Sequence, residues 1–371
     1  MSAAGAADDA VTGPGVDDLR RAVEEALLGG GPTWTRREVA ERSGVGSERT
    51  AEIWRALGFP TVDDDARVFT DADIEALRAD ERLIAAGLTT EESETLMARA
   101  LGHHLSRLAE WQVHTLWAWI NRDAGVPGDA VVLAERAAAL LPEMELLQRH
   151  VWRRHLAAHA GRVLAETQEQ ALRRPGQPES GKPEPGRDEP VPPADGTDVR
   201  ARAVGFTDMV GYTRMTRGLD NVELGRVLDR FESLTGNVVA DGGGRVVKTI
   251  GDEVLFLCES AAAAADIALE LTARAEADQR LPQVRTGLAH GSVLSRFGDV
   301  YGATVNVAAR LTAVARPGTV LANTTFAGEL AGSAAYELKV LRPVSVRGYK
   351  RLRPVLLRSG PGPQHAEKED H

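Results

Sequence analysis

The chain has a single cysteine, Cys258, in 371 residues. One thiol cannot form an internal disulfide or supply the ligands of a cysteine-based zinc site. No apolar run approaches the ~20 residues that a membrane-spanning helix needs. The first residues lack both the basic start and the apolar segment of a secretory signal. These absences predict a cytoplasmic protein that does not cross a membrane.

Basic residues are also fewer than acidic ones, with 44 Lys and Arg against 54 Asp and Glu. The resulting net charge of -10 argues against a general nucleic-acid binder, because such proteins neutralise phosphates with clustered cations. The remaining composition, with 43% hydrophobic and 26% charged residues, is that of a globular protein. We therefore expect buried cores and no nucleic-acid partner.

Composition divides the chain into five segments. Residues 175–199 hold seven of the 18 prolines and almost no apolar side chains, which predicts an extended linker between two folding units. The segments are a disordered tail 1–17, an all-helical domain 18–174, the linker 175–199, an α+β domain 200–360 and a tail 361–371.

The first domain begins with a recognisable pattern of short helices. Thr35 and Glu38 form a predicted capping box, and Ser47 is predicted to cap the next helix. Residues 35–77 resemble the helix-turn-helix module of MerR-type regulators. The predicted recognition helix carries only Arg49 and Arg55 as cations, so we expect a borrowed interaction module and no DNA binding.

The rest of this domain is rich in tryptophan and histidine. All six tryptophans precede residue 153, and a helical-bundle core is the simplest interpretation; a pocket for an apolar ligand is the alternative. Six of the nine histidines lie here as well, at positions 103, 104, 114, 150, 155 and 159. Histidine titrates near neutral pH, so this domain could sense acidity, although solvated helix residues explain the pattern equally.

The second domain alternates strands and helices. Strands are predicted at 203–206, 246–250, 254–257, 284–291 and 318–322, with helices at 221–239, 261–278 and 304–313. This order predicts an α+β sheet with helices on one face. Asp208 follows the first strand and Asp252 lies at the tip of the 246–257 hairpin. If the strands are neighbours, the two carboxylates meet at one edge and require a divalent cation between them.

Three segments carry a family resemblance. Residues 206–211, 248–252 and 299–310 together resemble the catalytic domain of class III nucleotidyl cyclases, which has a ferredoxin-like, palm-type sheet. The two-domain layout is similar to that of soluble bacterial adenylyl cyclases with a helical N-terminal regulatory domain.

The resemblance implies roles for particular residues. Asp208, Asp252 and the Met209 carbonyl match the ligands of two Mg²⁺ or Mn²⁺ ions. Lys248 and Asp299 match the base-selecting pair. A lysine can donate to N1 of adenine and an aspartate can accept from its amino group, so this pair implies ATP as the substrate.

Further matches lie near the C-terminus. Asn306 and Arg310, four apart on one helix, match the transition-state residues, which orient the ribose and contact the α-phosphate. Arg347 stands where relatives place a cation, usually lysine, for the terminal phosphate. In this family two protomers share each site, so the resemblance implies a homodimer.

The implied activity is conversion of ATP to 3′,5′-cyclic AMP and pyrophosphate, regulated by the N-terminal domain. Two alternatives stay open. Residues 251–256 are a near match to the GGDEF signature of diguanylate cyclases. A non-catalytic transcription regulator, using residues 35–77 and a nucleotide-sensing second domain, is the other.

Overall fold

The computed structural model describes residues 16–123, 130–173 and 198–360, which divide into two compact units. The first unit comprises residues 1–195 and the second residues 196–371. The predicted linker and both tails lie almost entirely outside the described residues, so the segment boundaries stay predictions. No described helix is both long and apolar enough to cross a membrane.

The N-terminal unit is helical within its described residues, apart from one bridge between Trp34 and Phe69. Its helices are α1 Val16–Leu28, α2 Arg36–Ser43, α3 Ser47–Ala56, α4 Asp71–Ala85, α5 Glu91–Asp123 and α6 Ala130–Arg173. The capping box of Thr35 and Glu38 is confirmed, and Thr70 with Asp73 forms a second at α4. The predicted Ser47 cap is wrong: Gly46 is the N-cap, and no side chain bonds the helix start.

A small core joins α2, α3, α4 and the start of α5. Its buried members are Val39, Val45, Ile53, Ala56, Phe69, Ile74, Leu77 and Ala98, with Trp34 and Trp54 packed against them. The short helices are therefore held by tertiary packing, since isolated helices of this length are marginal in water.

The predicted bundle core is wrong for the two long helices. Trp111 on α5 is 64% exposed and Trp152 on α6 is 60% exposed. Apolar residues are spread around α6 and do not line one face, so a single packing partner cannot cover them. The six histidines of this unit are all exposed, as the simpler interpretation expected.

The C-terminal unit is built on an eight-stranded mixed sheet. Strands run in the order β2-β3-β1-β4-β6-β10-β7, β5 pairs with β4, and β8 with β9 forms a separate hairpin. Only the β4–β6 pair is parallel within the described sheet. Strand bounds are β1 Asp198–Met209, β2 Arg245–Ile250, β3 Glu253–Cys258, β4 Val284–Arg296, β5 Asp299–Tyr301, β6 Val320–Ala322, β7 Tyr336–Val340, β8 Val344–Val346, β9 Tyr349–Leu352 and β10 Val355–Ser359.

Helices cover both faces of this sheet, which corrects the prediction that they share one face. The helices are α7 Tyr212–Met215, α8 Asn221–Asp241, α9 Ala261–Ala277, α10 Ala303–Val314 and α11 Thr324–Glu329. Ala203 and Phe256 belong to the core under α9, whereas their neighbours Val204 and Leu255 pack with Ala308 of α10. Alternate residues of a strand point to opposite faces, so α10 lies on the face opposite α9.

Gly287 explains how close α10 comes to the sheet. A Cβ at this position would lie 2.4 Å from the Ala308 carbonyl oxygen and 2.3 Å from the Thr312 nitrogen. The absence of a side chain on β4 thus lets the helix backbone rest on the strand, and this contact positions the residues that α10 carries.

Candidate active site

The β2–β3 hairpin places Asp252 beside the end of β1. Its turn is Gly251–Asp252, and Gly251 has the positive φ of 64° that a two-residue hairpin turn requires. The Met209 N–H donates to the Asp252 carbonyl oxygen at 3.1 Å, and Asp208 pairs in register with Glu253. The structure therefore brings Asp208 and Asp252 to one edge, as the sequence predicted.

Arg285 is a residue of this site that sequence reasoning missed. It lies opposite Asp208 in the β1–β4 ladder, and its Nε and Nη2 atoms lie 2.7 Å and 2.6 Å from Asp208 Oδ2. The sequence did contain one signal for Arg285, because a charged residue is unusual within a strand that is predicted to be buried. Its guanidinium also donates to the Ala313 carbonyl oxygen of α10 at 3.3 Å.

The carboxyl groups at this edge repel one another. Burial and the Asp208 charge raise the pKa of Asp252, against the opposing effect of Arg285. Burial, Asp208 and Asp252 raise the pKa of Glu253 to about 7. A divalent cation would relieve this crowding, because it favours the ionised form of every carboxyl group around it.

The donor set suits a hard cation. Carboxylate and carbonyl oxygens are the ligands that Mg²⁺ and Mn²⁺ prefer. Met209 is 1% exposed and its side chain packs in the core, so the main-chain carbonyl is the group of this residue that could contribute a ligand. Across the described residues, no group of three or more His, Cys, Asp or Glu side chains is arranged to hold a metal. The fit rests on two aspartates and this carbonyl.

Lys248 and Asp299 form an ion pair. Lys248 Nζ lies 2.6 Å from Asp299 Oδ2, and both side chains are partly exposed. Burial acts to raise the pKa of Asp299, but hydrogen bonds from Lys248 and the Val300 N–H outweigh it and hold that pKa below its usual value. Arg245 Nη1 donates to the Gly298 carbonyl at 3.1 Å, which fixes the turn that carries Asp299.

Helix α10 presents Asn306 at the surface and Arg310 half-buried. Within the described residues Arg310 forms no ion pair, because the groups that α10 buries are Thr304, Ala308 and Leu311. The guanidinium is thus available to an external anion. Arg347 is exposed at the turn between β8 and β9.

These groups share one face of the sheet without touching. Asp208 lies two residues from Phe206, and Lys248 pairs with Leu255; both apolar residues belong to the α10-side core. Among the described residues, no hydrogen bond or ion pair joins Asp208 or Asp252 to the Lys248–Asp299 pair, to Asn306 or to Arg310. A single chain therefore carries two separate half-sets of polar groups.

Comparison with protein families agrees with the division of the chain into two units. Residues 12–145 match the family described as the adenylate cyclase regulatory domain, and residues 198–359 match the adenylate and guanylate cyclase catalytic domain. The C-terminal unit is thus a nucleotidyl cyclase domain preceded by a regulatory domain. A solved adenylyl cyclase from P. aeruginosa is 16% identical and covers 45% of this chain and 97% of its own, with a TM-score of 0.40.

Relatives extend over both units. An adenylate cyclase of Glutamicibacter nicotianae is 36% identical over 94% of this chain and 84% of its own length. One of Streptomyces coelicolor is 39% identical over 85% of this chain and 77% of its own. A pH-sensitive adenylate cyclase of Mycobacterium tuberculosis is 33% identical over 80% of this chain and 70% of its own. The chain belongs to the adenylate cyclases.

Proposed function

We propose that the protein converts ATP to 3′,5′-cyclic AMP and pyrophosphate at sites shared between two protomers, with two divalent cations per site. The observation that carries the substrate assignment is the Lys248–Asp299 ion pair. Adenine offers an acceptor at N1 and a donor at its amino group, which match the lysine and the aspartate; guanine presents the reverse pattern.

Asp208, Asp252 and the Met209 carbonyl are the proposed ligands of the cations. When bound, Mg²⁺ or Mn²⁺ would supply activation of the ribose 3′-hydroxyl and neutralisation of the triphosphate. Arg285 already holds Asp208 Oδ2, so a cation that binds this oxygen competes with the guanidinium. Arg285 would then place its positive charge beside the phosphates.

Asn306, Arg310 and Arg347 are proposed to act on the phosphate and ribose. The half-buried, unpaired guanidinium of Arg310 can bind the α-phosphate as negative charge builds there, while Asn306 orients the ribose. Arg347 would contact the terminal phosphate from its exposed turn.

The proposed homodimer is supported by the lack of a direct bond between the two half-sets. One chain carries both the acidic edge and the Lys248, Asp299, Asn306 and Arg310 set, with no direct bond between them in the described residues. Two chains arranged about a twofold axis would complete two equivalent sites.

Product analysis tests the proposed reaction. Purified full-length protein is given ATP or GTP with Mg²⁺ and with Mn²⁺, and nucleotide products are separated by chromatography. We expect cyclic AMP from ATP and little product from GTP. Equal turnover of both nucleotides would contradict the Lys248–Asp299 assignment, and a linear dinucleotide product would contradict cyclisation.

We further propose that the N-terminal unit regulates the catalytic unit in response to pH or an apolar ligand. The match to a regulatory domain and the pH-sensitive relative support this proposal. Cyclase activity of residues 198–371 is compared with that of the full chain across a pH series. Identical activity at every pH would reject pH regulation through this unit.

A further inference from the structure

The N-terminal unit contains an apolar cavity of about 370 Å³ between α3, α4 and the start of α5. Its walls include the aromatic residues Trp54, Phe59 and Phe69. Phe59, Leu83 and Leu101 are exposed at its rim, so the cavity opens to solvent. Its size and lining are those of a small-molecule site.

Acidic groups interrupt this apolar wall. Asp73, Asp80 and Glu94 line the cavity, and none of the described lining residues is Lys, Arg or His. Asp73 is already used, because its Oδ2 accepts from the Thr70 N–H at 2.7 Å and from the Thr70 hydroxyl at 2.8 Å. Hydrogen bonding with Glu94 adds to burial in raising the pKa of Asp80, and it lowers the pKa of Glu94, which favours the proton on Asp80.

One guanidinium serves several carboxylates here. Arg49 Nε lies 2.7 Å from Glu94 Oε2, its Nη2 lies 2.8 Å from Glu94 Oε1, and its Nη1 lies 2.7 Å from Glu81 Oε1. Glu94 is 2% exposed, so its charge needs this partner. Every nitrogen of Arg49 is thereby engaged by Glu94 or Glu81. Glu91 Oε1 lies 3.8 Å from Nη1, and Asp80 adds a fourth carboxyl group to this cluster around one guanidinium.

The excess of carboxyl groups over cations in this wall favours some apolar ligands over others. An apolar carboxylate would bring another negative charge to a wall without an unengaged cation. An apolar molecule with a protonated amine would supply the charge that the cluster lacks and would form a charge-assisted hydrogen bond. The aromatic side chains in the same wall favour a cation as well, since ring faces attract positive charge.

We propose that this cavity binds a small apolar ligand carrying a protonated amine, with the Asp80 carboxylate as its counter-ion. Burial and the neighbouring Glu94 and Glu81 raise the pKa of Asp80 to about 7, against the opposing charge of Arg49. An entering ammonium group reverses that shift and releases the proton from Asp80. This proposal does not depend on the catalytic function, because binding is measured directly.

The test uses full-length protein and three probes matched in shape: phenylbutylamine, phenylbutanol and phenylbutanoate. Isothermal titration calorimetry gives the affinity of each, and repeating the amine titration in buffers of different ionisation enthalpy gives the protons released. We expect the amine to bind more tightly than the alcohol, the alcohol more tightly than the carboxylate, and a proton to leave on amine binding.

Two variants localise the interaction. Asp80→Asn keeps the hydrogen bond to Glu94 and removes the counter-ion, so amine affinity should fall about tenfold while alcohol affinity stays unchanged. Asp73→Asn, in the same cavity, should leave both affinities unchanged because that carboxylate caps α4. The proposal is overturned if no amine binds, if the carboxylate equals the amine, if no proton is released, or if both variants behave alike.

Discussion

Lys248 and Asp299 pair with each other in the structure, and in the proposed function this bond opens to admit adenine. We predict that Lys248→Ala and Asp299→Ala each lower kcat/KM for ATP by about a hundredfold, because each loses a charge-assisted hydrogen bond to the base. The double variant should be little worse than either single one, since the pair acts as a unit.

Steady-state kinetics with ATP and GTP measure this effect. Lys339→Ala, at an exposed position of β7, is the matched control and should retain full activity. Full additivity of the two single losses would argue that the residues bind the base independently.

A second prediction at the residue scale concerns Arg285. Because its guanidinium donates twice to Asp208 Oδ2, a metal ion must displace it. Arg285→Gln should therefore increase the affinity for Mn²⁺ in the absence of nucleotide by about tenfold. Electron paramagnetic resonance of free Mn²⁺ measures this, with Arg280→Gln as the control. Weaker metal binding in the variant would show that Arg285 organises the ligands and does not compete with the ion.

The raised pKa of Asp80 should make the stability of the N-terminal unit depend on pH. Its folded-state pKa is about 7, above the ordinary value near 4, so between these limits the folded chain holds more protons than the unfolded chain. The free energy of unfolding should fall as pH rises through this window and level off above it. The pKa of Glu94 is lowered, since hydrogen bonds from Arg49 and Asp80 outweigh burial, so its own titration affects stability only at lower pH.

Urea unfolding at several pH values, followed by tryptophan fluorescence, checks this prediction. All six tryptophans lie in the N-terminal unit, so the signal reports on that unit alone. Asp80→Asn should flatten the curve between pH about 5 and about 7. A variant curve with the wild-type slope would assign the effect to another group.

At the scale of elements, Arg49 holds α3 against α4 and α5. Arg49→Ala leaves the buried Glu94 without its cation and should destabilise the N-terminal unit by roughly 3–5 kcal/mol. Arg55→Ala, exposed on the same helix, should change stability by less than about 0.5 kcal/mol. Equal effects in the same urea assay would mean that the ion pairs contribute nothing beyond helix propensity. Since Arg49 is engaged in this cluster, it is also not available to a DNA phosphate.

The elements that sequence predicted well were those with local signals. The Thr35 capping box and the Gly251–Asp252 turn depend on residues a few positions apart, so the pattern contains the geometry. The full length of β1 did not follow, because Arg200 and Arg202 break its apolar pattern and only pairing with β4 extends it. Strands β7 and β10 are likewise defined by non-local pairing, β7 with β10 and β10 also with β6.

The residues of the candidate site likewise divide into those that local motifs predicted and those that depend on distant partners. Asp208, Asp252, Lys248 and Asp299 were predicted from motifs, and the structure pairs them as neighbours within each half-set. Arg285 was missed because its role comes from cross-strand register with Asp208, which no local pattern specifies. The exposure of Trp111 and Trp152 was missed for a related reason. An apolar side chain indicates packing against some surface, but the sequence does not specify that this surface belongs to the same chain.

At the scale of the whole molecule, the shared-site proposal makes a mixing prediction. Asp208→Ala and Arg310→Ala should each abolish nearly all activity, because each removes a group from both sites of a homodimer. A mixture should regain activity through heterodimers, in which one site keeps both residues. Differently tagged variants purified as heterodimers make the measurement decisive, and no recovery in them would rule out sites shared between protomers.

The twelve-residue ladder between β1 and β4 has a mechanical consequence. β1 starts at Asp198, where the chain enters the catalytic unit, and reaches Asp208 after ten residues of strand, roughly 32–34 Å at the usual rise per residue. Because β4 holds β1 along its whole length, Asp198 and Asp208 belong to one hydrogen-bonded strand. A shift of β1 along its axis at the point of entry would therefore also displace the carboxylate edge.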